Sequence, residues 1–187
     1  MSKDNRWPLQ RLNIKIPLAG PGSFWENRGD RHHCGVDLYT PQGENVINIE
    51  SGVVVDIGLA THRWKNSYWN NTYYVIVGCD SLKWLVKYSE LENVRVNKDQ
   101  RVSPGDVLAD VGQVLNFEKI DEYSPLYIQR LKEKGNSSML HLELLLKLPE
   151  KNKNYRGGNW FGAGKPDWII NPTTYLLELK KIFWDDD

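Results

Sequence analysis

Short runs of β-branched and aromatic residues, each closed by glycine or a polar turn, constrain this chain most. They predict strands that follow one another with little between them. Residues 51–58 (SGVVVDIG) and 72–78 (TYYVIVG) are of this kind. Residues 81–91 (SLKWLVKYSEL) alternate, so that Leu82, Trp84, Val86, Tyr88 and Glu90 share one face and Lys83, Lys87 and Ser89 the other. The stretches from Asn45 (NVINIESGVVVDIG) and Arg101 (RVSPGDVLADVG) set β-branched residues around glycines in a similar way, as if one β-unit were used twice. Two helices are expected. Ser124 as N-cap and Pro125 at the first helical position open one that stops at Gly135. Asn171 and Pro172 open the other, with Tyr175, Leu176, Leu179 and Ile182 as its apolar stripe. The predicted fold class is all-β with two short helices, in a single domain over 1–187.

Composition narrows the function classes. The 24 basic residues balance 24 acidic ones, so no bulk charge draws the chain to nucleic acid or to an anionic membrane. Eight tryptophans and nine tyrosines are many for 187 residues and serve either as core or as platforms for peptides and sugars. Cys34 and Cys79 imply no disulfide framework and are expected as free thiols. Residues 1–20 lack a secretory core, and no run of 18 apolar residues occurs, so the chain as written is expected to be soluble and unexported, with no membrane span. The sequons at Asn70 and Asn136 carry little weight without a secretory route, and the acidic end at 184–187 is expected to fray.

The chemistry concentrates in two places. In residues 137–148 (SSMLHLELLLKL), strand parity puts Leu140, Leu142, Leu144 and Leu146 on one face and Met139, His141, Glu143 and Leu145 on the other. His141 thus leaves the leucine row, either as a satisfied structural histidine or as a ligand. In residues 29–41 (GDRHHCGVDLYTP), His33 and Asp37 lie four apart around a glycine, and in an extended segment both would point to one side. With His141 they offer two nitrogens and one carboxylate oxygen, a donor set suited to zinc with a fourth position left for water.

His33, Cys34, Gly35, Val36 and Asp37 match the HxGxD motif of the lysostaphin-type (LytM-like) zinc metallopeptidases, which cleave peptide cross-links in bacterial cell walls. The sequence around them resembles the same family. YSEL at 88–91 lies where the family has YxHL, SPGDVLADVG follows, LHLELLL stands in place of the HxHFE strand, and NPTTYL at 171–176 is similar to the closing NPxxYL. The likeness covers 18–114, 138–148 and 171–176, leaving segments of about 115–137 and 151–170 as insertions. It implies an all-β, mainly antiparallel barrel-sandwich fold of the duplicated-hybrid-motif type whose sheet floors a groove. It also implies one zinc ion held by His33, Asp37 and His141.

The family's two further histidines, which orient the zinc-bound water and stabilise the oxyanion, fall on Glu90 and Met139. A thioether has no proton to give. Glu90 has three open readings: a general base, a fourth ligand closing a structural site, or a carboxylate turned to solvent or to a lysine. Of the remaining histidines, His32 is expected on the wrong side of its strand and His62 in a polar loop; Cys34 reads as packing or as an oxidation-sensitive thiol. Two functions follow. One is a degenerate, zinc-binding groove that holds a peptide or peptidoglycan-like ligand, or a protein partner, with weak or no endopeptidase activity. The other is an active zinc endopeptidase with Glu90 as base and His62 or Tyr88 aiding the oxyanion.

Overall fold

The computed structural model describes residues 4–64, 66–81, 83–133, 135, 137–149 and 154–184. Leu82, the sequon residue Asn136, residues 151–153 and the acidic end at 185–187 lie outside the described residues. The strands are β1 (His32–His33), β2 (Val36–Tyr39), β3 (Asn45–Ile47), β4 (Gly52–Leu59), β5 (Tyr73–Cys79) and β6 (Leu85–Glu92). After them come β7 (Arg101–Val102), β8 (Val107–Val111), β9 (Met139–Leu145), β10 (Tyr155–Arg156), β11 (Asn159–Trp160) and β12 (Ile169–Ile170). Helix α1 (Leu126–Glu133) precedes β9, and α2 (Thr173–Trp184) follows β12. The fold is all-β with two helices, and every strand pairing is antiparallel.

A nine-stranded sheet runs β12-β9-β6-β5-β4-β7, with β2 also on β9, and β8 joining β3 to β6. The two similar stretches pair with each other, β3 on β8 and β4 on β7. A separate three-stranded sheet, β1-β11-β10, lies beside it, and the chain passes from one sheet to the other at Cys34–Gly35. The main core gathers Val36 and Leu38 of β2, Val75 and Val77 of β5, Val86 and Tyr88 of β6, and Leu140, Leu142 and Leu144 of β9. Tyr175, Leu176 and Leu179 of α2 cover it. A smaller cluster on the other side joins Cys34, Leu145, Trp160 and Ile169. Strand β9 is therefore buried on both faces. Both cysteines are free thiols.

Four expectations need correction. Strand β6 starts at Leu85, and just before it the Cys79 amide donates to the Trp84 carbonyl (3.1 Å). Glu90 does not continue the Val86–Tyr88 face. Its φ is 63°, Tyr73 pairs with Leu91 while Tyr74 pairs with Ser89, and so Glu90 is a bulged extra residue with Leu91 returning to the core. Strand β9 ends at Leu145, leaving Leu146 about half exposed rather than in the leucine row. Ser124 does not cap α1: the Pro125 carbonyl accepts the first helical amides, and the Ser124 hydroxyl donates to Asp121 instead. At α2 the Asn171 side chain does accept the Thr173 amide (2.9 Å). Among the described residues no helix is long and apolar enough to cross a membrane.

Candidate metal centre

Pairing of β2 with β9 sets Asp37 directly opposite His141, and the sheet change at Gly35 swings His33 in beside them. Gly35 permits this closeness, because a Cβ there would lie 2.8 Å from the His141 ring and 2.5 Å from the Leu142 carbonyl oxygen. His33 Nε2, His141 Nδ1 and Asp37 Oδ1 form a triangle with edges of 2.9, 2.8 and 3.1 Å. All three residues are buried, and among the described residues they form the only cluster of three or more potential metal ligands.

The partners around the triangle fix which ring atoms point inward. His33 Nδ1 donates to the Ser23 carbonyl (2.9 Å), and His141 Nε2 donates to Glu143 Oε1 (3.1 Å). Each ring therefore turns the lone pair of its other nitrogen toward Asp37. Two imidazole lone pairs and a carboxylate oxygen within 3.1 Å repel one another unless a proton or a metal cation sits between them, and in the metal-free chain a proton on His141 Nδ1 fills that role. A tetrahedral zinc shell has edges of roughly 3.3 Å, so zinc asks each side chain to retreat by only a few tenths of an ångström. The residues present fit the metal, and the outer partners are those that orient histidine ligands.

Electrostatics agree with that geometry. Burial alone would lower the His141 pKa, but hydrogen bonds to Asp37 and Glu143 outweigh it and hold it at about 9. Burial would raise the Asp37 carboxyl; His33 close beside it and the hydrogen bond from His141 hold it well below the usual range. Glu143 is held low against its own burial by Lys87 first and His141 second. The second Asp37 oxygen takes Arg28 (3.1 Å), which also bridges to Glu26 (2.9 Å) and Asn159 (3.3 Å).

Asp37 and His141 open onto a groove of about 1330 Å3, whose lining also includes Met139, Glu90, His62, Trp69 and Phe161. Leu115 and Leu131, from the segment at 115–137, edge the groove near Trp69, and the β10–β11 hairpin edges it elsewhere. The hairpin presses on the centre: the Gly158 carbonyl accepts the Cys34 amide (2.8 Å), and a Cβ on Gly158 would fall 2.4 Å from His141 Nε2. Gly158 also has φ 73°, so only glycine fits there without strain.

A family model described as Peptidase family M23 matches residues 31–144, more than half of the chain and including the whole triangle. The chain belongs to peptidase family M23. No curated protein matches the sequence. Among solved structures, the antimicrobial peptidase lysostaphin from Staphylococcus simulans is similar at TM-score 0.55 and 17% identity over 95% of this chain. The M23 chain spans 55% of that protein's length. The structure of CbpA from L. salivarius REN is similar at TM-score 0.54 and 19% identity, over 96% of this chain and 98% of that one. The catalytic domain of the prophage-encoded M23 protein EnpA from Enterococcus faecalis is similar at TM-score 0.50 and 15% identity, over 90% and 95%. At these identities the likeness is one of fold.

In this M23 chain Glu90 reaches the groove but lies outside the His33–Asp37–His141 triangle, its carboxylate accepting from Thr61 (2.9 Å) and Thr72 (2.5 Å). Met139 is half-buried in the groove two residues before His141. Tyr88 cannot aid an oxyanion, because it is fully buried in the core, donating to Asn48 (3.3 Å) and accepting from the Ile49 amide (3.0 Å). His62 lines the groove, edge-on to Trp64, and its buried Nδ1 has no partner among the described residues. His32 stacks on Trp25 at 4.7 Å, away from the triangle. Cys34 is sealed in the small core cluster, and burial pushes its thiol well above the ordinary value, which leaves it unreactive packing.

Sequence reasoning missed Ser23, Arg28, Lys87, Tyr155 and Gly158. A lysine inside a strand that faces a glutamate inside a leucine strand was the one legible cue. The others arrive from loops or from the short β10–β11 hairpin and carry no local signal. Ser89, opposite His141 in register, holds a buried hydroxyl without a partner among the described residues.

Proposed function

We propose that this M23 chain binds one zinc ion through His33, Asp37 and His141, and that its groove holds a peptide or peptidoglycan-like segment with little or no hydrolysis. The observation carrying the metal reading is the triangle of three inward acceptors, each ring held by an outer partner. When bound, zinc supplies a Lewis acid and lowers the pKa of a coordinated water. The loss of chemistry rests on the residues beside it. Met139 gives no proton, and Glu90 is engaged by two threonine hydroxyls. Trp69 and Phe161 supply apolar and aromatic surface for an extended ligand.

Metal analysis is expected to find about one zinc per wild-type chain and none after His141→Ala. A wild type that purifies and dialyses free of zinc, and does not take it up, sinks this reading. A second reading rests on Glu90, whose left-handed backbone (φ 63°) sets a carboxylate at the groove. It makes Glu90 the base of an active endopeptidase. Cleavage of purified peptidoglycan that disappears both with chelator and with Glu90→Gln would favour it.

To hold zinc, His141 Nδ1 would have to give up the proton it shares with Asp37 and His33. Apparent affinity is therefore expected to rise about tenfold per pH unit below pH 9, roughly 100-fold between pH 6 and 8, by chelator competition. The metal-free fold behaves oppositely. The folded His141 pKa is raised above its ordinary 6.5, so its contribution is complete below pH 6.5 and is lost as pH climbs through about 9. A pH-independent zinc affinity would contradict the proton exchange.

A further inference from the structure

Lys87 lies mid-strand in β6 with only 5% of its surface exposed, which is rare for a lysine. Its Nζ donates to Glu143 Oε1 (2.7 Å) and to the Tyr155 hydroxyl (2.6 Å), and it sits over the rings of Tyr74 (5.4 Å) and Tyr155 (5.1 Å). Tyr155 in turn donates to the Glu143 carboxylate (2.8 Å to Oε1). Three donors thus converge on one fully buried carboxylate: an ammonium, a phenol and the His141 ring.

We propose that Lys87 and Tyr155 are positioning residues for His141, acting through Glu143; this rests on the zinc reading above. Buried ion pairs add little to stability compared with an apolar pair of the same shape, so folding alone is a weak reason for one here. Its geometry serves the ligand instead. Lys87 meets the same Oε1 that faces His141, and the Tyr155 hydroxyl lies within reach of both Oε1 (2.8 Å) and Oε2 (2.9 Å), so together they pin the carboxylate with Oε1 turned to the imidazole. That contact fixes the ring plane and aims Nδ1 between Asp37 and His33. Lys87 comes from the sheet and Tyr155 from the hairpin over the site, so the ring orientation is set jointly by two elements that contribute no ligand.

The test uses the full chain, with zinc affinity read by chelator competition and the visible absorption of the cobalt(II)-loaded protein read as a report on ligand geometry. Lys87→Met is expected to weaken zinc binding about 10- to 100-fold and Tyr155→Phe about tenfold, the range for partners that orient metal ligands. Both are expected to shift the cobalt bands, which a purely structural role would leave in place. If Lys87→Met fails to fold, Tyr155→Phe decides alone. Wild-type affinity and unshifted bands in every folded variant would overturn the positioning role. A wild type that takes up neither metal would instead overturn the zinc reading beneath it.

Discussion

Glu90→His combined with Met139→His is expected to raise peptide hydrolysis by about 10⁴-fold or more, since a general acid/base or an oxyanion donor is each worth about 10²–10⁴. The backbone is suited to both changes. Histidine is among the residues that tolerate a left-handed conformation, which position 90 requires. Met139 already projects from the same face of β9 as His141 and lines the same groove. Neither change touches His33, Asp37 or His141, so zinc content should match that of the wild type and serve as the control. Initial rates on purified peptidoglycan or a panel of fluorogenic peptides provide the measurement. A double variant no faster than wild type would mean that the decay lies elsewhere, in the covering hairpin or in the groove walls.

Glu143→Ala should cost about 3–5 kcal/mol of folding stability, because it strands a buried ammonium. Solvent cannot soften that cost: Glu143 has no exposed surface and Lys87 only 5%. Tyr155 and His141 lose an acceptor at the same stroke. Replacing both members of the pair, Lys87→Met with Glu143→Leu, should recover most of the loss while leaving His141 unoriented. Denaturant unfolding of the metal-free protein in a double-mutant cycle separates these terms. A single-variant cost below about 1 kcal/mol would show that Lys87 finds water or another partner.

Much of the fold is legible because its strands are short, β-branched and bounded by turns. The parity of β9 could be read residue by residue from Met139 to Leu145, since a strand buried on both faces still separates its polar row from its leucine row. Periodicity cannot announce where it breaks. The extra residue at Glu90 is a non-glycine in a left-handed conformation, and nothing in SLKWLVKYSEL marks it, so counting by twos put that carboxylate on the face of Val86 and Tyr88. Ser124 misled for a related reason: a serine before a proline can close its own turn with Asp121 as readily as it caps a helix. At the site, Asp37 and His141 were findable because strands carry them. Arg28 and Tyr155 lie on irregular or very short segments and reach the centre only through tertiary packing.

Strand β9 answers to two masters, and its alignment against β2 decides which side chain meets Asp37. A slide of one residue would bring a leucine there; a slide of two would bring Met139 or Glu143. What forbids either slide is the row Leu140, Leu142 and Leu144, seated in the core with no chemistry of its own. The identity of the side chain that completes the triangle is thus stored in hydrophobic packing one layer beneath it. Substitutions that loosen that row would change the offered donor set without touching any residue of the triangle.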